Sequence, residues 1–205
     1  MREVAIVGMS CRLPGGLDDV TLLWDALCKG RNTADTVPSD RWSADWFYSS
    51  VEASPGKAYV SRGNFLKQNV QEMDASFFDI PPRVAENLDP QQRLMLEVVW
   101  EAFENSGISL PGLAGEKVGV YVGGFMLDHM ITHMHPENAA LINQNTAAGM
   151  MMTMLSNRIS HAFDLRGPSL SIDTACSSSL TAFNYGCRDI LSGACDVAAV
   201  GGVNT

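Results

Sequence analysis

The chain has 205 residues, 46% of them hydrophobic and 18% charged, a composition that suits a globular protein with a sizeable core. Its net charge of −9, without a Lys/Arg cluster, argues against binding to a nucleic-acid backbone, and its apolar runs are too short and broken to span a membrane. Five widely spaced cysteines, Cys11, Cys28, Cys176, Cys187 and Cys195, with no CxxC pair, point to a reducing, cytoplasmic compartment and away from structural zinc.

Residues 4–9 are a compact apolar run containing Gly8, which predicts a buried strand. An acidic residue at position 3 and the lack of a small-residue cleavage site separate the first eight residues from a signal peptide; they read as strand. Residues 17–29 predict a helix, with Val20, Leu23, Trp24 and Leu27 at helical spacing and Gly30 as its stop. Residues 31–88 carry little periodicity, scattered aromatics and the breakers Pro38, Pro55 and Gly63. A structureless loop of that length does not suit a compact domain, so short elements folded over a core are expected. Asp89 is placed to cap a helix that opens on Pro90, carries Leu94, Met95, Val98, Val99 and Ala102 as an apolar stripe, turns Glu97, Glu101 and Glu104 away, and ends at Gly107. Residues 118–122 predict a strand closing on Gly123 and Gly124. Residues 146–163 predict a methionine-rich helix. After the Gly167-Pro168 break a strand begins at Leu170 and ends at Cys176. Residues 177–191 then form a helix with Leu180, Phe183, Cys187 and Ile190 on one face and Gly193 as its stop, and residues 197–200 are a last strand. Strands alternating with helices predict an α/β fold around a largely parallel sheet.

The segment DTACSSSL, residues 173–180, delivers a cysteine on a strand to a sharp turn from which a helix starts. The positive end of a helix favours a thiolate, which is the attacking form of the side chain. Free backbone N–H groups at such a turn suit an oxyanion formed on a thioester carbonyl. On local pattern alone, a small buried hydrophobe is the competing reading of Cys176.

DTACSSSL resembles the active-site signature of β-ketoacyl synthases of type I polyketide synthases. Collinear segments carry the same resemblance: VAIVGMSCRLPGG at 4–16, the LWDAL–G–P–RW pattern from Leu23 to Trp42, and FFDIPPRVAENLDPQQRLMLEVVWEAFENSG at 77–107. VGVYVGG at 118–124, NRISHAFDLRGPSLSIDTACSSSL at 157–180 and SGACDVAAVGGVN at 192–204 extend it over essentially all of residues 1–205 as one N-terminal ketosynthase domain. The resemblance implies the N-terminal half of a thiolase-like layered α/β fold. It also implies Cys176 as the nucleophile that accepts an acyl chain from an acyl-carrier protein, with its own N–H as one oxyanion donor. In the full-length parent a malonyl-type extender would then lose carbon dioxide and attack the acyl thioester. No cofactor is expected to bind directly, the substrates being carried on phosphopantetheine, and homodimerisation is implied by the family.

The family's two histidines and lysine belong to motifs of the C-terminal half, so they are expected beyond residue 205, and the chain alone is expected to be inactive in condensation. His129, His133, His135 and His161 do not stand in those motifs. The i,i+4 spacing of His129 and His133 admits a metal, but no H-E-x-x-H pattern supports one, and a polar loop is the preferred reading. Methionines 150, 151, 152 and 154 suit either an acyl tunnel or plain packing. Gly123-Gly124 and Gly201-Gly202 lack nucleotide-binding spacing and read as close-packing glycines, and Ser177 to Ser179 as helix-capping residues. A decarboxylase-type loading synthase is disfavoured because that variant lacks the cysteine. A non-catalytic truncated fragment or interaction remnant is the alternative outside enzymes.

Overall fold

The computed structural model describes residues 3–205 and divides into two compact units, residues 10–69 and the remainder. In the 10–69 unit, the Asp19 carboxylate accepts the N–H groups of Thr21 and Leu22 at 2.7 and 2.8 Å and so starts α1 (Val20–Cys28). The helix begins three residues later than its apolar spacing suggests because Leu17 is held by Leu13 in a backbone pair. A short antiparallel pair follows, β1 (Asp35–Thr36) with β2 (Arg62–Gly63), and between them lies α2 (Ala44–Phe47). Trp42 packs edge-to-face on Phe65 with ring centroids 5.8 Å apart. Short elements therefore do occupy this stretch of weak periodicity.

The other unit contains α3 (Pro82–Ala85), α4 (Pro90–Ser106), β3 (Val118–Gly123), α5 (Asp128–His133), α6 (Thr146–Met150), α7 (Met154–Ala162), β4 (Ser169–Ile172), α8 (Ser178–Ser192) and β5 (Val197–Gly202). The sheet is parallel, in the order β4-β3-β5, with Val120 beside Ser169 and Ala199. The central strand β3 is buried along its whole length, as a parallel strand covered on both faces must be. Its side chains alternate. Val118, Val120 and Val122 join Met95, Leu96, Val99 and Phe103 of α4 and Leu155 and Ile159 of α7 in one apolar core. Gly119 and Tyr121 turn to the opposite face, which α8 covers.

α4 forms as its sequence predicts: the Asp89 side chain accepts the Gln91 N–H at 2.8 Å, Pro90 opens the helix, and Gly107 stops it at φ +72°. Its first turns are buried on all sides, however, Gln91, Gln92 and Arg93 included, so the inward surface is wider than the apolar stripe.

Three expectations are corrected. Residues 4–9 belong to no strand and form no ladder; Met1 and Arg2 of the expected strand lie outside the described residues. Both sides of β3 are taken by β4 and β5. Residues 4–9 instead run beside α4, where the Met9 N–H donates to Asn105 Oδ1 at 3.0 Å, and Ile6 and Val7 are 65% and 59% exposed. The methionine-rich helix is two helices, because Gly149 O accepts from the Asp89 N–H and from Gln92 Nε2, both at 2.9 Å, instead of continuing the helical ladder. On α8, the buried residues are Ser178, Ala182 and Gly186, a stripe of small side chains. Leu180 and Phe183 of the predicted apolar face point to solvent.

Candidate functional site

Leu170 to Ile172 bring the chain to the carboxyl edge of the sheet, where Asp173 leaves β4 and Ser178 begins α8. The four residues between make one tight turn. Ala175 has φ +53°, in the left-handed region, where an L-residue with a Cβ is disfavoured by about 1–2 kcal/mol. Local bonds hold it there. The Asp173 carboxylate accepts the Ala175 N–H at 2.9 Å, and the Ala175 carbonyl accepts from the Ser178 N–H at 3.0 Å and from the Ser178 hydroxyl at 2.6 Å. The same hydroxyl accepts the Thr174 N–H at 2.9 Å. Ser177 Oγ donates to Thr174 O and lies 2.9 Å from Thr174 Oγ1, which is 3.1 Å from Thr181 Oγ1. The serines therefore do not cap α8 in the usual sense; Ser177, at the cap position, makes no side-chain cap bond. They brace the turn.

Cys176 stands on this turn, exposed, with a free thiol and the N-terminus of α8 immediately after it. Among the described residues its N–H donates to no backbone carbonyl. Strand, left-handed residue and helix together present a sulfur outward and a backbone N–H beside it, the arrangement that a nucleophile with an oxyanion donor requires.

Two glycines allow α8 to start so close to the sheet. A Cβ on Gly123 would lie 2.4 Å from Ser179 N, and one on Gly202 would lie 2.5 Å from Ser179 Cβ. The expectation that these are close-packing glycines is met at both positions. Farther along, Tyr121 ties β3 to α8 by donating its hydroxyl to Asp189 at 2.5 Å. Burial, and then that carboxylate, push the Tyr121 phenol well above its ordinary pKa. Burial likewise raises the thiol of Cys195, 3.9 Å away.

The histidines lie elsewhere in chemistry as in sequence. His129 and His133 stack with centroids 4.2 Å apart. His129 Nε2 is 3.3 Å from Asn87 O, and His135 faces Glu137 at 3.6 Å. His161 is exposed. No group of three or more His, Cys, Asp or Glu among the described residues could hold a metal, and no helix among them is long and apolar enough to cross a membrane. Met150 is buried while Met151 is exposed, and Met152 packs on the core, so the methionine run does not act as one surface. Asp173, Thr174 and Thr181 join Ser177 and Ser178 in the brace, a role that sequence spacing does not reveal, although a run of hydroxyls around one cysteine is its visible signal.

Residues 1–205 match the family described as Beta-ketoacyl synthase, N-terminal domain. The chain belongs to the β-ketoacyl synthase family. Its relatives are polyketide synthases. The partially reducing polyketide synthase men1 of Menisporopsis theobromae is 41% identical over 204 residues, 99% of this chain and 8% of the relative. The highly reducing polyketide synthase PKS6 of Gibberella zeae is 42% identical over 205 residues, 100% of this chain and 8% of the relative. Among solved structures, the oxazolomycin ketosynthase domain OzmH KS7 of Streptomyces albus superposes with a TM-score of 0.87 at 39% identity, covering 100% of this chain and 34% of that one. The ketosynthase from module 6 of the bacillaene synthase of Bacillus subtilis 168 gives 0.81 at 33% identity, covering 98% and 31%. The fold is thus the thiolase-like fold of ketosynthase domains, and the chain spans 8% of the length of these polyketide synthases.

Proposed function

We propose that this chain is the acyl-loading part of a polyketide-synthase ketosynthase, with Cys176 as its nucleophile. The observation that carries this reading is the exposed thiol at the strand–turn–helix junction, within the segment that bears the family's signature. In the reaction, the Cys176 thiolate attacks the carbonyl carbon of an acyl thioester carried on the phosphopantetheine arm of an acyl-carrier protein. The carbonyl oxygen takes up the negative charge beside the Cys176 N–H and the start of α8. The tetrahedral intermediate collapses, the carrier's thiolate leaves, and the acyl group remains on Sγ. Decarboxylation of a malonyl-type extender on a second carrier, and attack of its carbanion on the acyl-cysteine, belong to the whole polypeptide, which we expect to act as a homodimer in the cytoplasm. The general acid–base groups for that step are assigned outside the four histidines described here, none of which hydrogen-bonds to the 173–178 turn. No directly bound cofactor or metal enters the reading.

The test is acyl transfer from hexanoyl-N-acetylcysteamine, read as added mass on the intact protein and located by peptide mapping. The wild type acquires one hexanoyl group on the peptide containing Cys176. Cys176→Ala acquires none on that peptide, because the turn then holds no thiol and its hydroxyls are engaged in bonds within the turn. Labelling that persists in Cys176→Ala overturns the assignment.

A further inference from the structure

On the reading of Cys176 as nucleophile, we propose that Ser178 is a positioning residue for acylation: its hydroxyl clamps the peptide before the nucleophile and so fixes where Sγ and the Cys176 N–H point. The clamp is specific in its geometry. Ser178 is 4% exposed, so its hydroxyl is not a solvated surface group. That single oxygen accepts the Thr174 N–H at 2.9 Å and donates to the Ala175 carbonyl at 2.6 Å. One partner is the carbonyl of Ala175, the residue at φ +53°, and the other is the N–H of Thr174 just before it. A left-handed residue with a side chain persists only where its surroundings over-determine it, and here two side chains do so, Asp173 from the N–H side and Ser178 from the carbonyl side.

The stem of the clamp is closely packed. Ser178 is the first residue of α8, and the glycines at 123 and 202 let Ser179, next to it, lie against the ends of β3 and β5. The sheet therefore fixes the helix start, the helix start fixes the hydroxyl, and the hydroxyl fixes the turn that carries Cys176. Without it, Ala175 keeps only the Asp173 carboxylate and the Ser178 backbone N–H as restraints and can relax toward negative φ, which rotates the following peptide plane, the one that holds the Cys176 N–H. A relaxed turn keeps the thiol and its surroundings but loses the alignment of attack, so the loss falls on the rate at saturation and not on substrate binding.

The experiment compares acylation by hexanoyl-N-acetylcysteamine in the full chain across Ser178→Ala, Ser178→Ala combined with Ala175→Gly, and Cys176→Ala. Ser178→Ala is expected to lower the saturating acylation rate by on the order of 10- to 100-fold, with KM within about twofold of wild type. Glycine occupies positive φ without strain, so adding Ala175→Gly is expected to return most of the lost rate, which a general loss of packing at position 178 would not permit. A Ser178→Ala rate within about twofold of wild type overturns the clamp. So does a loss expressed mainly in KM, or one that Ala175→Gly leaves in place. If Ser178→Ala does not fold, the double variant decides alone: recovery of folding and acylation supports the clamp, and failure of either overturns it. Acylation that survives in Cys176→Ala removes the nucleophile itself, a result distinct from failure of the clamp, which leaves Cys176→Ala inert and Ser178→Ala fast.

Discussion

His129 is half-buried on α5, its Nε2 3.3 Å from the Asn87 carbonyl and its ring stacked on His133. Burial holds its pKa below the ordinary 6.5; His133 and Arg93 push the same way, and Asp89 opposes them. The folded state therefore prefers the neutral imidazole. Above the unfolded value neither state carries the proton and the group contributes nothing to pH dependence. As pH falls through about 6.5, the unfolded chain takes up a proton that the folded chain refuses, and stability declines until the folded imidazole also protonates. The thermal midpoint should thus fall between about pH 7.5 and about pH 5.5, and His129→Gln, neutral throughout, should fall by less. Equal losses in the two proteins would show that carboxylates and not this histidine govern the acid limb.

At the scale of elements, the start of α8 is where the fold and the candidate site meet. Gly123→Ala places a Cβ 2.4 Å from the backbone nitrogen of Ser179, an atom that cannot rotate away. The helix must lift from β3, and an overpacked contact of this kind costs about 1–3 kcal/mol. A lower urea midpoint together with slower acylation of Cys176 is expected. A stability loss with normal acylation would mean that the turn does not depend on how α8 is seated. Much of this element is legible in the sequence: the helix and its Gly193 stop follow from apolar spacing and α4 reads from Asp89 to Gly107, but the strand expected to reach Cys176 ends at Ile172, because the chain turns there. What the sequence hid was set by tertiary partners. The break between α6 and α7 comes from the Asp89 N–H and the Gln92 side chain capturing the Gly149 carbonyl, and residues 4–9 lie along α4, where Asn105 takes the Met9 N–H, instead of joining the sheet. The packing face of α8 differs from the one its apolar spacing predicts for a related reason. Periodicity finds large apolar residues, whereas a helix this close to a sheet buries small ones, Ser178, Ala182 and Gly186.

At the scale of the whole molecule, charge and apolar surface act against each other. Residues 10–69 hold seven Lys/Arg and seven Asp/Glu, so the entire net charge of −9 resides in the unit that carries Cys176. That unit also exposes Leu180, Phe183 and Leu191 on α8, Leu180 to 75%. Their spacing of three and then eight residues puts them on one side of the helix. Like charge keeps copies of the chain apart while this apolar stripe draws them together, and salt weakens only the first. Raising ionic strength from about 0.1 M to about 1 M shortens the Debye length from about 10 Å to about 3 Å, so self-association should grow with salt as well as with protein concentration. Sedimentation velocity measures both. Leu180→Lys with Leu191→Lys should shift the distribution back toward the monomer at every salt concentration, because it interrupts the stripe and leaves the Ser178-Ala182-Gly186 side of α8 on the sheet. A wild-type chain that sediments as a monomer at high salt, or an association untouched by the two lysines, would show that this stripe is not the attractive surface.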